Sequence, residues 1–310
     1  MPLLDEVFYW IFNMSIAASL SGAVVLLLRL IKAIPRRVIK VAWIIPFIRF
    51  WIPIGISGKY GLMTLISKFA TKTVTVYRIS EDKAFTMANS VMGAESYFPI
   101  TYKVNVLENV FTVSSYIWSI ICAAIVLTVT VLYVLTVSET RGAIPYTEKR
   151  VYLSDKITSP AVFGILKPKI MIPTAYAAMD KDSLKYVLMH ERMHIKSCDN
   201  LWRMLAFATA AVHWFNPLAW ILLKCFLSDT EYACDEKVLS GTGQVERKKY
   251  AETLVNCAEN RIVFVSAFGG AKLRTRVERI LSFKKISAVS AVLFAAFIGI
   301  IAYILLTNAV

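Results

Sequence analysis

The chain has 310 residues, 57% of them hydrophobic and 18% charged, with a mean hydropathy of +0.58. Soluble domains average about 45–50% apolar and about 25% charged residues. The composition therefore points to a membrane protein and excludes a disordered, collagen-like or disulfide-stapled secreted chain. A formal charge of +14 leaves two explanations: nucleic-acid binding, or basic cytoplasmic loops beside membrane spans.

The first predicted element is a span over Val7–Leu28, 22 residues without a charge. Asp5-Glu6 precedes it where a cleavable signal peptide would be basic, so it reads as a retained span. The basic residues follow it instead (Arg29, Lys32, Arg36, Arg37 and Lys40), which places the N-terminus outside. Val38–Ile56 is a weaker second span, interrupted by Arg49, Pro46 and Pro53, of the kind tolerated where a broken helix packs on protein. Residues 57–110 then form an outer loop. Phe111–Ser138 (28 uncharged residues) and Ile286–Val310 (25) supply the third and fourth spans. Between them, residues 139–285 hold 23 Lys or Arg against 15 acids, whereas 57–110 hold 6 against 4. The basic excess is thus mostly cytoplasmic, and no basic stripe with interleaved aromatics supports nucleic-acid binding. The five cysteines avoid the outer loop, so no disulfide framework is expected.

The motif of highest information is His190-Glu191-Arg192-Met193-His194. Asp180 and Ser183 provide helix-start chemistry, and Leu184, Val187, Leu188 and Ile195 continue at helical spacing. On a helix, positions 190 and 194 share one face and two imidazoles there can hold one zinc ion, with Glu191 placed as general base. The plainer alternative is a surface helix with two unremarkable histidines. A catalytic zinc needs a third protein ligand. Glu231 is the leading candidate, with Asp235 on the same helical face to orient a ligand histidine; either could instead be a solvated acid. Cys234 is a zinc ligand in principle, but among apolar neighbours it reads as a buried small residue.

Met204–Leu223 is 20 residues without a charge and mimics a further span. Crossing the bilayer would separate Glu231 from His190 and His194 by about 30 Å, which a metal bond of about 2 Å forbids. Asn216-Pro217 predicts two shorter helices, buried or dipping into the inner leaflet. His213, just before that break, is a candidate transition-state donor or, more plainly, a hydrogen-bonded core histidine. Residues 159–173 predict two short strands about a Lys167-Pro168 turn, whose edge either receives an extended substrate or merely supports the helix.

At these residues the chain resembles the membrane-embedded zinc peptidases of the beta-lactam sensor-transducer type, the BlaR and MecR family (peptidase family M56). The resemblance rests on His190-Glu191-Arg192-Met193-His194 with Ile195 and Asp199, on His213-Trp214-Phe215-Asn216-Pro217, and on Glu231-Tyr232-Ala233-Cys234-Asp235-Glu236. It implies Glu231 as third zinc ligand, Asp235 as its supporting acid, and a mainly α fold. In that fold, four transmembrane helices carry a cytoplasmic α+β gluzincin-like zinc peptidase domain between the third and fourth spans. The expected division is 1–56 as an N-terminal hairpin, 57–110 extracellular, 111–138 the third span, 139–285 the peptidase domain and linker, and 286–310 the last span.

The resemblance also implies a bacterial plasma-membrane protein, with both termini extracellular, that cleaves itself, a cytoplasmic transcriptional repressor, or both. Residues 273–285, with Ser282-Phe283 as the bond, are the candidate self-cleavage region. In such transducers a penicillin-binding domain follows the last span, but here the sequence reaches only Val310. Ser80-Glu81-Asp82-Lys83 matches S-x-x-K without a partner K-T-G, so direct beta-lactam acylation is not expected. Either the chain is a truncated transducer or a sensor-less relative acting through its outer loop, a homo-oligomer or a sensor partner. Two other readings stay open: a general membrane quality-control zinc protease, and a non-proteolytic signalling scaffold whose zinc is structural.

Overall fold

The computed structural model describes residues 2–52, 58–62, 64, 105–259 and 272–307, and it is mostly helical. The expected outer loop and Ser80–Lys83 fall largely or wholly outside these residues. Three helices are long and apolar enough to cross a membrane: α1 (Pro2–Leu30), α4 (Asn105–Glu139) and α10 (Ala288–Leu306). Each follows an uncharged run, where backbone hydrogen bonds closed within the helix are the condition for entering hydrocarbon.

The second predicted span takes a different form. It is two short helices, α2 (Arg36–Ala42) and α3 (Ile44–Trp51), joined at Trp43; residues 53–57 are not described. Its buried charge is met by protein: Arg49 Nε and Nη2 donate to the carbonyls of Leu305 and Thr307, 2.9 and 2.7 Å away, at the C-terminus of α10. A cation at that end satisfies free carbonyls and suits the helix dipole. Arg37 and Val38 of α2 lie near Ser287 and Ala288 at the opposite end of α10, so α2 and α3 together run alongside nearly all of it.

Residues 140–178 carry a four-stranded sheet, β1 (Ile144–Pro145), β2 (Val151–Ser154), β3 (Ala161–Phe163) and β4 (Lys169–Pro173), in the order β1-β2-β4-β3. β3 and β4 form the expected antiparallel pair, Val162 opposite Ile170, with Gly164 at φ +86° in the turn. A Cβ there would come within 3.1 Å of the Lys167 carbonyl. β2 pairs parallel with β4, and the sheet packs Val151, Ile170 and Ile172 against Leu184 and Leu188. That apolar face seats α5 (Lys181–Lys196), which carries both motif histidines.

The apolar stretch from Met204 to Leu223 breaks as expected. α6 (Asp199–Val212) and α7 (Pro217–Ser240) meet at a turn where the Asn216 side chain accepts from the Leu218 amide at 2.9 Å and Pro217 occupies the first helical turn. The tip is buried against α1, one of the two expected forms. Asn216 Nδ2 donates to Ser15 Oγ and Ser19 Oγ of α1 at 2.8 and 2.7 Å, and Phe215 packs on Phe8 and Phe12. Ser15 lies about 22 Å along α1 from Leu30. α8 (Gln244–Glu259) and α9 (Leu273–Leu281) complete the domain; the second makes a helix of most of the expected linker. They pack Tyr250 and Ile280 into a core with Tyr186, Val238 and Leu239.

Candidate metal centre

The site is built where α5 and α7 cross. Asp180 caps α5, accepting from the Ser183 amide at 2.9 Å, and the helix runs through both histidines with His190, Glu191 and His194 buried. His190 Nε2 and His194 Nε2 point at one another, 3.1 Å apart. Glu231 on α7 completes a triangle, Oε2 at 3.4 Å from His190 Nε2 and Oε1 at 3.6 Å from His194 Nε2. Cys234, one turn further along α7, brings its sulfur within 4.8 Å of both histidines and donates to the His190 carbonyl at 3.3 Å.

The outer nitrogens decide what the inner ones can do. His194 Nδ1 donates to Asp199 Oδ2 at 2.7 Å, and the other oxygen of Asp199 is paired with Lys40 of α2. His190 Nδ1 lies 2.9 Å from Tyr250 Oη and 3.2 Å from Asp235 Oδ1; the Tyr250 hydroxyl itself donates to Asp235 Oδ1 at 2.7 Å. Asp235 is in turn held bidentately by Arg276 Nε and Nη2 of α9 at 2.8 and 2.7 Å. Each imidazole thus has its proton fixed on Nδ1 by a buried acid that is anchored by a cation, and both Nε2 lone pairs face inward. Two lone pairs 3.1 Å apart repel unless a proton or cation lies between them. A tetrahedral ion with bonds of about 2.0–2.1 Å has ligand atoms about 3.3 Å apart, close to the 3.1 Å between the histidines and to the 3.4 and 3.6 Å from each histidine to a different oxygen of Glu231. The donor set fits a metal.

Charge in the site follows the same geometry. Burial opposes charging of the histidines, but Cys234 and Glu231, with the Asp199 hydrogen bond, outweigh it and raise His194 to about 9. His190 is also raised, burial being opposed by Cys234, Tyr250 and Asp235. Burial disfavours the carboxylates too, yet Asp235 is pulled far down by Arg276, Glu231 by His194, and Asp199 by His194 and Lys40. Arg203 Nη2 also reaches Glu231 Oε1 at 2.5 Å. Glu191 lines a cavity of about 40 Å³ with His190, Tyr250 and Arg276, large enough for an ordered water.

Not every candidate is gathered here. His213 caps the far end of α6, with Nε2 3.3 Å from the Phe50 carbonyl and its ring 4.6 Å from that of Phe50. The 14 residues from Asp199 put it about 20 Å from the histidine pair. Ser282 ends α9, its hydroxyl donating to the Glu278 carbonyl at 2.7 Å. Phe283 offers its carbonyl to Arg247 at 3.0 Å and its ring to the same guanidinium. Lys40, Tyr250 and Arg276 enter the site from 150, 60 and 86 positions away from His190. Only Asp199, just beyond the C-terminus of α5, carried a local signal: left-handed Cys198 (φ 51°) turns the chain back on His194.

The described residues thus combine apolar helices long enough to cross a membrane with a buried cluster of possible metal ligands. Residues 9–280 match the family model described as BlaR1 peptidase M56, and the chain belongs to that family. It is 32% identical over 106 residues to the methicillin resistance mecR1 protein of Staphylococcus aureus, covering 34% of this chain and 18% of that protein. It is 30% identical over 159 residues to the regulatory protein BlaR1 of Bacillus licheniformis, covering 48% of this chain and 26% of the relative. The matched region therefore spans about a quarter or less of these curated relatives.

Proposed function

We propose that the chain is a zinc endopeptidase of transmembrane signalling, with His190, His194 and Glu231 as metal ligands and Glu191 as general base. The observation that carries this is the triangle of 3.1, 3.4 and 3.6 Å among those three side chains. When bound, zinc supplies Lewis-acid polarisation of a scissile carbonyl and of an attacking water. Glu191 takes the proton of that water and returns it to the leaving amine. Asp199 and the Tyr250–Asp235 pair keep the imidazoles oriented. β3, at the edge of the sheet beside α5, offers an extended substrate a strand to pair with; Asn200 Nδ2 already takes its Val162 carbonyl at 2.8 Å.

In this reading α1, the α2–α3 pair, α4 and α10 are four crossings, and the basic segment 139–285 is the cytoplasmic peptidase domain. The N-terminal end of α1 and the C-terminal end of α10 face outside, which the charge asymmetry supports. The substrates are a cytoplasmic repressor, the chain itself, or both, which the regulatory names of the relatives support.

The test is the full chain reconstituted in vesicles, with zinc content and self-cleavage both measured. Wild type is expected to hold one zinc and to cut; Glu191→Gln is expected to hold the same zinc and cut about 10²–10⁴-fold more slowly. A Glu191→Gln variant that cuts normally overturns the assignment. The Cys234 sulfur beside the histidines favours one competitor, a closed structural zinc site with no proteolysis. Zinc retained in Cys234→Ala and lost in Glu231→Ala decides against it.

A further inference from the structure

Away from the histidines, a cavity of about 690 Å³ lies between the α2–α3 pair, α6, α7 and the first half of α10. This is within the range of built ligand sites, about 300–1,000 Å³. Its two ends differ in chemistry. The body is walled by Trp43, Phe47, Trp202, Phe226, Phe294 and Ile298, a lining that suits hydrocarbon. At one end stand Arg37, Lys40 and Lys237, together with the hydroxyls of Ser197 and Ser287; every charged residue lining the cavity is basic. Part of that charge is already engaged. Lys40 is paired with Asp199, Lys237 donates to Ser197 Oγ at 2.7 Å, and Arg37 is 3.9 Å from Glu236. Yet Arg37 Nε is buried without a hydrogen-bond partner. Burial, and after it the neighbouring Lys40, holds the Lys237 ammonium below its ordinary value against the pull of Asp199.

The position of the polar end identifies the occupant. It lies where α10 begins, at Ala288, and just past the end of α1 at Leu30, so it sits where two candidate spans leave the apolar layer on the same side. The apolar body runs from there along α10 toward Ile298, in the direction an acyl chain takes from its headgroup. Basic pockets between helices at that level are the sites that hold acidic headgroups. We infer that this cavity binds an anionic phospholipid, its phosphate at Arg37, Lys40 and Lys237 and an acyl chain along the face of α10. This goes beyond the peptidase reading and does not depend on it.

The test uses the full chain purified in detergent and titrated separately with phosphatidylglycerol, phosphatidylcholine and inorganic phosphate. Retained lipid is read by native mass spectrometry and protection by thermal unfolding. Wild type is expected to retain phosphatidylglycerol at least tenfold better than phosphatidylcholine. Arg37→Gln/Lys237→Gln is expected to lose that preference while still holding either lipid weakly. Ala291→Phe, which fills the apolar body from an exposed position on α10, is expected to weaken both. A thermal midpoint without added lipid that matches wild type shows that the variants are folded. Equal retention of the two lipids by wild type, or a preference unmoved by Arg37→Gln/Lys237→Gln, overturns the inference. Protection by inorganic phosphate equal to that by phosphatidylglycerol also overturns it, in favour of a free-anion site.

Discussion

Helix α7 carries two buried acidic clusters less than two turns apart, and they have opposite characters. Asp229 is fully buried and saturated: Arg29 Nε reaches both its oxygens at 3.0 and 2.9 Å, Arg36 Nη1 donates at 3.2 Å and Trp43 Nε1 at 3.0 Å. All its partners are fixed donors, so the cluster closes on itself and ties α1 and α2 to α7. Glu231 and Asp235 are equally rich in cations, but their neighbours are histidines whose Nε2 atoms are left facing inward. Buried charge alone does not mark a functional centre; lone pairs converging on one point do.

That contrast can be broken at Asp229 first. Asp229→Ala strands two arginines, and removing one member of a buried ion pair costs about 3–5 kcal/mol. A large fall in the thermal midpoint in detergent is expected, with zinc per folded molecule unchanged; zinc loss in the folded fraction would mean that the two clusters act as one. Asp199→Asn should also cost stability, through the Lys40 pair, but unlike Asp229→Ala it should weaken zinc binding by the folded fraction about 10–100-fold, read by competition with a chelator.

The same site sets a pH signature. In the metal-free chain His194 is held at about 9, so its proton stabilises the fold below the unfolded value near 6.5 and that contribution fades as pH rises through 9. Zinc must displace that proton. Apparent affinity should therefore rise at least tenfold per pH unit below about 9, with the His194 share of that rise levelling off above. In Asp199→Asn the levelling point should move to lower pH; an unchanged profile would remove Asp199 from the account. The smallest effect is expected from Tyr250→Phe. It deletes one hydroxyl between His190 and Asp235 at about 1 kcal/mol, less than tenfold in affinity by the same competition assay.

The long helices and the motif helix were legible because their signals are local. Uncharged runs mark α1, α4 and α10, and Asp180 with the apolar spacing marks α5. The break before Pro217 was equally plain. The reach of the α6–α7 hairpin was not, because it depends on Asn216 meeting Ser15 and Ser19, a pairing about 200 positions apart. Tyr250, Arg276 and Lys40 were hidden for a related reason. A tyrosine, an arginine and a lysine in basic, polar stretches read as solvated residues until tertiary packing buries the first two and half-buries the third. β2, four residues beside a charged turn, is too short to declare itself by alternation.

The clasp between Asn216 and α1 bears on how the chain is made. During synthesis the first helix enters the membrane with Ser15, Ser19 and Arg29, whose partners Asn216 and Asp229 are still about 200 residues from the peptidyl-transferase centre. At 5–20 residues per second that interval lasts roughly 10–40 s. For that time Ser15 and Arg29 lack these partners, while the Ser19 hydroxyl already donates to the Ser15 carbonyl at 2.7 Å within α1. The helix can pack on α3 and α4 before then, so its ties to α7 are the last of its contacts to become available.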